Sequence, residues 1–345
     1  MKLLKVGITH GDINGIGYEQ ILKVFADPEM LELCTPVIFG DTKAAEQTNA
    51  TFECEQKAEL NTIKTLDEII DGRVNLINVC KNAPTIDWGH QTEVSLQAEA
   101  DSLNAALEAF KNHAIDVLVC APGQLDNDVD NHPLSDFIRQ VFTSQTAEFD
   151  WIVNGSLRTL MLHPFNVTTE LGEGMAIEAF INDLTAIYQM LRQDGNSIRP
   201  RIAVVSSIAK LAADIHELQE HGVTLFGPFN GKEFVEKLLW EHYDAVLFLE
   251  EEEARHTLLK QVETNKTYGY VAGLPLVLTY PMTGISYPIA GQGKADPTPM
   301  REAIFAAIDI YRNRKHYMEA TRHPLEKQWI PKGRDDFKLD LTKEE

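Results

Sequence analysis

Gly7-Ile-Thr-His-Gly-Asp-Ile-Asn-Gly-Ile-Gly-Tyr18 reads as a strand end, a glycine-rich loop and a helix start in direct succession. Leu4–Thr9 supplies the apolar run of a buried strand. The glycines that follow let the backbone turn sharply into a helix. A loop entering a helix presents backbone N–H groups, which suits an anionic group of a cofactor. It is not the G-x-G-x-x-G fingerprint, so the pattern alone does not specify a dinucleotide. Asp12, Gly15 and Gly17 are the cofactor-contact candidates, and His10 stands where the loop begins.

Outward from this unit, short apolar runs alternate with amphipathic stretches, the pattern of an α/β chain with a largely parallel sheet. Further strands are expected at Pro36–Phe39, Val74–Val79, Asp116–Cys120, Arg158–Leu162, Arg201–Ser206, Ala245–Leu249 and Leu274–Tyr280. Helices are expected at Val94–Lys111, Met175–Arg192 and Ala209–His221. Asp296 is the expected N-cap of a last helix whose apolar stripe is Met300, Ile304, Ile308 and Tyr311. The chain is expected to cross between domains at Ala121–Gln124 with the acidic Asp126–Asp130, and to return near Thr279–Gly284.

The 345 residues are 44% hydrophobic and 24% charged, with a net charge of -21. Such an acidic balance argues against nucleic acid and anionic membrane surfaces as partners. No apolar run has the length of a membrane span, and the N-terminus lacks a signal-peptide core, so the cytoplasm is the expected compartment. Cys34, Cys54, Cys80 and Cys120 form no CxxC pair and read as reduced thiols.

At Gly11–Gly17, Leu31–Gly40, Ile115–Pro122, Arg199–Val205, Ala272–Pro275, Ile289–Asp296 and Ala306–Arg314 the chain resembles the NAD-dependent 4-hydroxythreonine-4-phosphate dehydrogenases of vitamin B6 synthesis. The resemblance implies an α/β, isocitrate/isopropylmalate dehydrogenase-like two-domain fold with an interdomain cleft. Residues 1–125 with 280–345 would form one domain and 126–279 the other, and the protein would be a homodimer. It also implies NAD, a small anionic ligand and a divalent metal held by three histidines. That metal would polarise the reacting hydroxyl before the keto acid loses carbon dioxide.

The resemblance also exposes departures. Gap-free pairing puts Phe165 at the first metal position, with His163 two residues away as a relic. Lys210 takes the second position and Glu251 or Glu252 the third. The family's G-H-T-E loop pairs with Pro133-Leu-Ser-Asp136, which keeps Ser135 and Asp136 as substrate-binding candidates. Lys260 matches a family lysine, whereas the asparagine and arginine that follow become Gly269 and Leu278. Without imidazoles no metal is expected to be held. Lys210 is expected to replace the cation and to pair with Glu251 or Glu252.

The functional expectation is a divergent homologue with metal-dependent oxidation lost or altered. Three forms stay open: a non-catalytic homologue, a metal-independent enzyme on another small acid using Lys210 or Lys260, and the family dehydrogenase itself using His163.

Overall fold

The computed structural model describes residues 3–51, 57–80, 84–123, 149–155, 157–161, 174–208, 211–220, 224–249, 251–262 and 264–322. These form an α/β unit around a twelve-stranded sheet of order β3-β4-β2-β1-β5-β12-β11-β6-β7-β10-β8-β9. The strands are β1 (Leu4–Thr9), β2 (Cys34–Gly40), β3 (Leu60–Ile63), β4 (Val74–Asn78), β5 (Val117–Cys120) and β6 (Phe149–Asn154). They continue with β7 (Leu157–Met161), β8 (Ile202–Val205), β9 (Leu225–Phe229), β10 (Ala245–Phe248), β11 (Thr267–Ala272) and β12 (Leu278–Pro281).

The sheet consists of two parallel halves joined by antiparallel strands. From β3 to β12 every neighbour pair is parallel. β11 runs antiparallel to both β12 and β6, and β6 runs antiparallel to β7. From β7 through β10 and β8 to β9 the pairs are parallel again. Three successive reversals leave the second set pointing opposite to the first. The carboxyl ends of the two sets therefore lie on opposite edges of the sheet. Open α/β sheets place their sites at carboxyl ends, so the molecule has two such edges.

The central strands are apolar without alternation because helices cover both faces. All of Cys34–Gly40 is buried, and Val6 and Ile8 are fully buried. Each such aliphatic side chain contributes about 1.5–3 kcal/mol relative to exposure. Helix 93–111 starts where the hydroxyl of Thr92 accepts from the Ser95 amide and the Ser95 hydroxyl faces the Thr92 amide, a reciprocal cap. The last helix, 298–321, buries Met300, Ile304 and Ile308 as expected.

Two expectations are corrected. Asp296 does not cap the last helix from the residue before it. Pro297 occupies that place, and the Asp296 carboxylate accepts from the amide and hydroxyl of Thr298. The single strand expected over Leu274–Tyr280 is instead a crossing segment, 273–277, followed by β12. Cys34, Cys80 and Cys120 are free thiols, as read from the sequence, and burial pushes Cys34 and Cys80 up to about 12. Among the described residues no helix is long and apolar enough to cross a membrane.

Candidate active site

At the first carboxyl edge, β1 ends at Thr9 and the chain enters the glycine loop. Gly11 adopts φ +65°, and a Cβ there would come within 2.1 Å of the Pro122 carbonyl oxygen. A Cβ at Gly17 would lie 2.2 Å from the His10 carbonyl oxygen, and one at Gly15 would strike Ile285. These glycines are thus required by close packing of the chain on itself.

The loop's donors turn inward as well. The amide of Asp12 donates to Pro122, that of Gly15 to the Asp12 carbonyl and that of Ile16 to Ile285. The Asn14 amide donates to the Asp12 carboxylate at 2.8 Å, whose other oxygen accepts from the Tyr287 hydroxyl at 2.6 Å. Burial, then the Asp12 carboxylate, push the Tyr287 phenol well above its ordinary range, so it stays a donor. Asp12, Gly15 and Gly17 therefore sit together in the buried wall of this edge.

Asn14 ties the wall to a strap at residues 87–92. Its side-chain oxygen accepts from the Asp87 amide at 2.8 Å. Its nitrogen donates to the His90 carbonyl at 2.9 Å and to the Thr92 hydroxyl at 3.3 Å. Its own carbonyl accepts from the Gly89 amide. His10 lies beneath as a packed ring, stacked on Tyr18 with centroids 5.1 Å apart. Its Nδ1–H donates to the Gly11 carbonyl at 2.6 Å, and Nε2 is buried. Burial lowers its pKa to about 4 against the opposing pull of Gly11 and Asp12, so the ring is neutral.

At the second edge, Met161, Phe248 and Val205 stand in one register row at the ends of β7, β10 and β8. The residues that the sequence reading paired with the family's metal positions follow these three ends in the chain. His163, Phe165 and Lys210 lie outside the described residues, as do Ser135 and Asp136. Glu251 and Glu252 are described. Glu252 opens helix 252–259 and is exposed. The Glu251 carboxylate rests against helix 231–236, where a Cβ on Gly231 would be 2.6 Å from it. Glu251, Glu253, Lys232, Thr257 and Gln261 line a shallow groove between those helices. Lys260 is exposed at the far end of helix 252–259, about 12 Å along the axis from Glu252.

Carboxylate oxygens at this edge would suit a hard cation. Among the described residues, however, no three His, Cys, Asp or Glu side chains are grouped to hold one. Gly269 and Leu278, which the sequence reading paired with a family asparagine and arginine, are interior. Gly269 faces Tyr280 across the β11–β12 pair, and a Cβ there would come within 2.1 Å of the tyrosine ring. Leu278 is 0% exposed and belongs to the core.

Sequence reading missed Asn14 as an organiser, Tyr287 as the partner of Asp12, and Arg314 as a buried cation. Arg314 had a signal: it continues the Met300–Tyr311 stripe at helical spacing, and a charge on an apolar stripe calls for a buried partner. Tyr287 had none, since its partner lies 275 positions away.

Comparison with known proteins matches this arrangement to one family. The family model described as pyridoxal phosphate biosynthetic protein PdxA matches residues 32–307. A 4-hydroxythreonine-4-phosphate dehydrogenase of Bacteroides thetaiotaomicron is 31% identical, over 98% of this chain and 97% of its own. Crystal structures of 4-hydroxythreonine-4-phosphate dehydrogenases from Klebsiella pneumoniae and Burkholderia phymatum superpose with TM-scores of 0.67 and 0.65. Each is 19% identical and covers 90% of this chain, matching 100% and 99% of its own length respectively.

Proposed function

The chain belongs to the pyridoxal phosphate biosynthetic protein PdxA family, and from that membership we propose a divergent 4-hydroxythreonine-4-phosphate dehydrogenase homologue whose metal-assisted oxidation is lost or altered. The reading rests most heavily on Gly269 and Leu278. A family arginine at position 278 would offer a planar, bidentate clamp for an anion. Here the position carries a core leucine, and the space beside Gly269 is taken by the Tyr280 ring.

The donor set supports the same reading. Phenylalanine, lysine and glutamate at the three metal positions offer one carboxylate and one repelling ammonium. Such a set does not fit a divalent ion that needs several neutral or anionic donors. In this proposal a lysine, Lys210, takes the place of one metal donor, and the Glu251 carboxylate is turned toward helix 231–236. The two halves of the sheet act as two lobes, hinged where the chain returns through 273–277. Asp12, Gly15 and Gly17 shape the wall of the first edge. The amides of Asp12, Asn14, Gly15 and Ile16 are already engaged within the chain and would not be the donors to an NAD molecule.

The test is NADH formation from 4-phosphooxy-L-threonine, followed at 340 nm with and without a chelator. No chelator-sensitive NADH formation is expected. Turnover that a chelator abolishes and a divalent ion restores would overturn the proposal.

A further inference from the structure

Arg314 is a buried cation that ties its own helix to a helix end, to a strand and to the segment that follows that strand. Its Nε donates to Asp194 Oδ1 at 2.7 Å and one terminal nitrogen to Oδ2 at 3.1 Å, a two-pronged pair. That same nitrogen donates to the Tyr270 hydroxyl at 2.8 Å. The other terminal nitrogen donates to the carbonyls of Leu274 at 3.0 Å and Pro275 at 3.5 Å. The Tyr270 hydroxyl in turn donates to the Asp194 carboxylate. Asn313 adds a bond from its side chain to the Asp194 carbonyl at 2.9 Å.

The positions of these partners matter more than their number. Asp194 ends helix 174–193, which connects β7 to β8 within the second half. Tyr270 lies on β11, the antiparallel strand at the seam. Leu274 and Pro275 belong to the segment by which the chain returns to the first half. Arg314 itself comes from helix 298–321, which packs on β12, β11 and β5 and so straddles the seam. Burial would lower the pKa of Arg314, but Tyr270 and Asp194 outweigh it, and the guanidinium stays charged. A charge so enclosed holds its geometry tightly, because losing one partner strands the others without water.

We propose that Arg314 is the pin of the hinge between the two halves, setting the angle at which they meet through Asp194, Tyr270 and the carbonyls of the crossing segment. The inference rests on the two-lobe reading given above. It adds that the angle is held by one side-chain cluster rather than by the sheet alone.

The experiment measures distances between spin labels at Lys43→Cys and Lys237→Cys, both exposed positions on opposite halves, with Cys54 and Cys80 replaced by serine. Arg314→Met keeps the length of the stem and removes the charge. Tyr270→Phe removes one hydroxyl and serves where Arg314→Met does not fold. Pro275→Gly loosens the crossing segment without touching the cluster's side chains. Arg314→Met is expected to broaden the distance distribution about twofold, and Tyr270→Phe less, in line with release of a local constraint. If Pro275→Gly broadens it while both cluster variants only lower the melting temperature, the pin is overturned and the lobes stand. If none of the three variants broadens it, the two-lobe reading falls and the pin falls with it.

Discussion

The end of β1 and the end of β10 are equivalent places in two parallel sets of strands, yet the chain treats them in opposite ways. After β1 the glycine loop is closed on itself: Asn14 binds the 87–92 strap, Tyr287 binds Asp12, and His10 is packed neutral beneath. After β10 the chain runs into Glu251, Glu252 and Glu253, which stay partly or fully exposed. The first edge is rich in bonds that hold shape, and the second in charge. A glycine-rich loop at a carboxyl edge is therefore not in itself a ligand cradle. Whether its amides are free depends on what the rest of the chain brings to them.

The contrast can be broken most strongly at Gly11. Gly11→Ala would place a methyl against the Pro122 carbonyl at a positive φ, combining overpacking with backbone strain. A loss of about 3–4 kcal/mol is expected in urea unfolding. A loss under about 1 kcal/mol would mean that the loop is open and adaptable.

Acid should act next most strongly. His10 titrates at about 4 when folded and 6.5 in the free chain, so the unfolded state binds the proton first as pH falls. This contribution is present above the unfolded value and is lost as pH drops from 6.5 toward 4, amounting to about 3 kcal/mol. The slope of stability over that window should flatten in His10→Phe. An unchanged slope would show that the ring is not enclosed.

Asn14→Ala leaves the Asp87 amide and the His90 carbonyl without their partner. It should cost about 2 kcal/mol and raise amide exchange across residues 87–92. Exchange confined to other segments would detach the strap from the loop. At the second edge, by contrast, Glu252→Gln should change stability by under about 0.5 kcal/mol. A shift of several degrees in melting temperature would bring the two edges closer in character than their bonding implies.

The strands that were legible in advance share one property. β1, β2, β5, β8 and β10 are mainly apolar runs, because burial on both faces demands it, and β4 and β7 keep apolar positions around Asn75, Arg158 and Thr159. β3, β6, β9 and β11 were missed, and the two seam strands β6 and β11 share a reason. Phe149-Asp-Trp-Ile-Val-Asn154 and Thr267-Tyr-Gly-Tyr-Val-Ala272 mix polar and glycine positions into a seam whose pairing is antiparallel. Their strand character comes from each other and from their neighbours, not from an apolar run of their own. The Asp296 cap was displaced for a similar reason, since Pro297 can begin a helix without an amide to satisfy.

Residue order settled the class of the fold, the family landmarks and the core stripes of the helices. All of these are local patterns, written in spacing and side-chain type. The opposed directions of the two sheet halves, the inward turn of the glycine loop and the Arg314 cluster came only with the folded chain. Each joins residues remote in sequence: 73 positions separate Asn14 from Asp87, 120 Asp194 from Arg314 and 275 Asp12 from Tyr287. Hydrogen bonds of that span leave no periodic trace, because their geometry is fixed by packing that forms after the helices and strands are chosen.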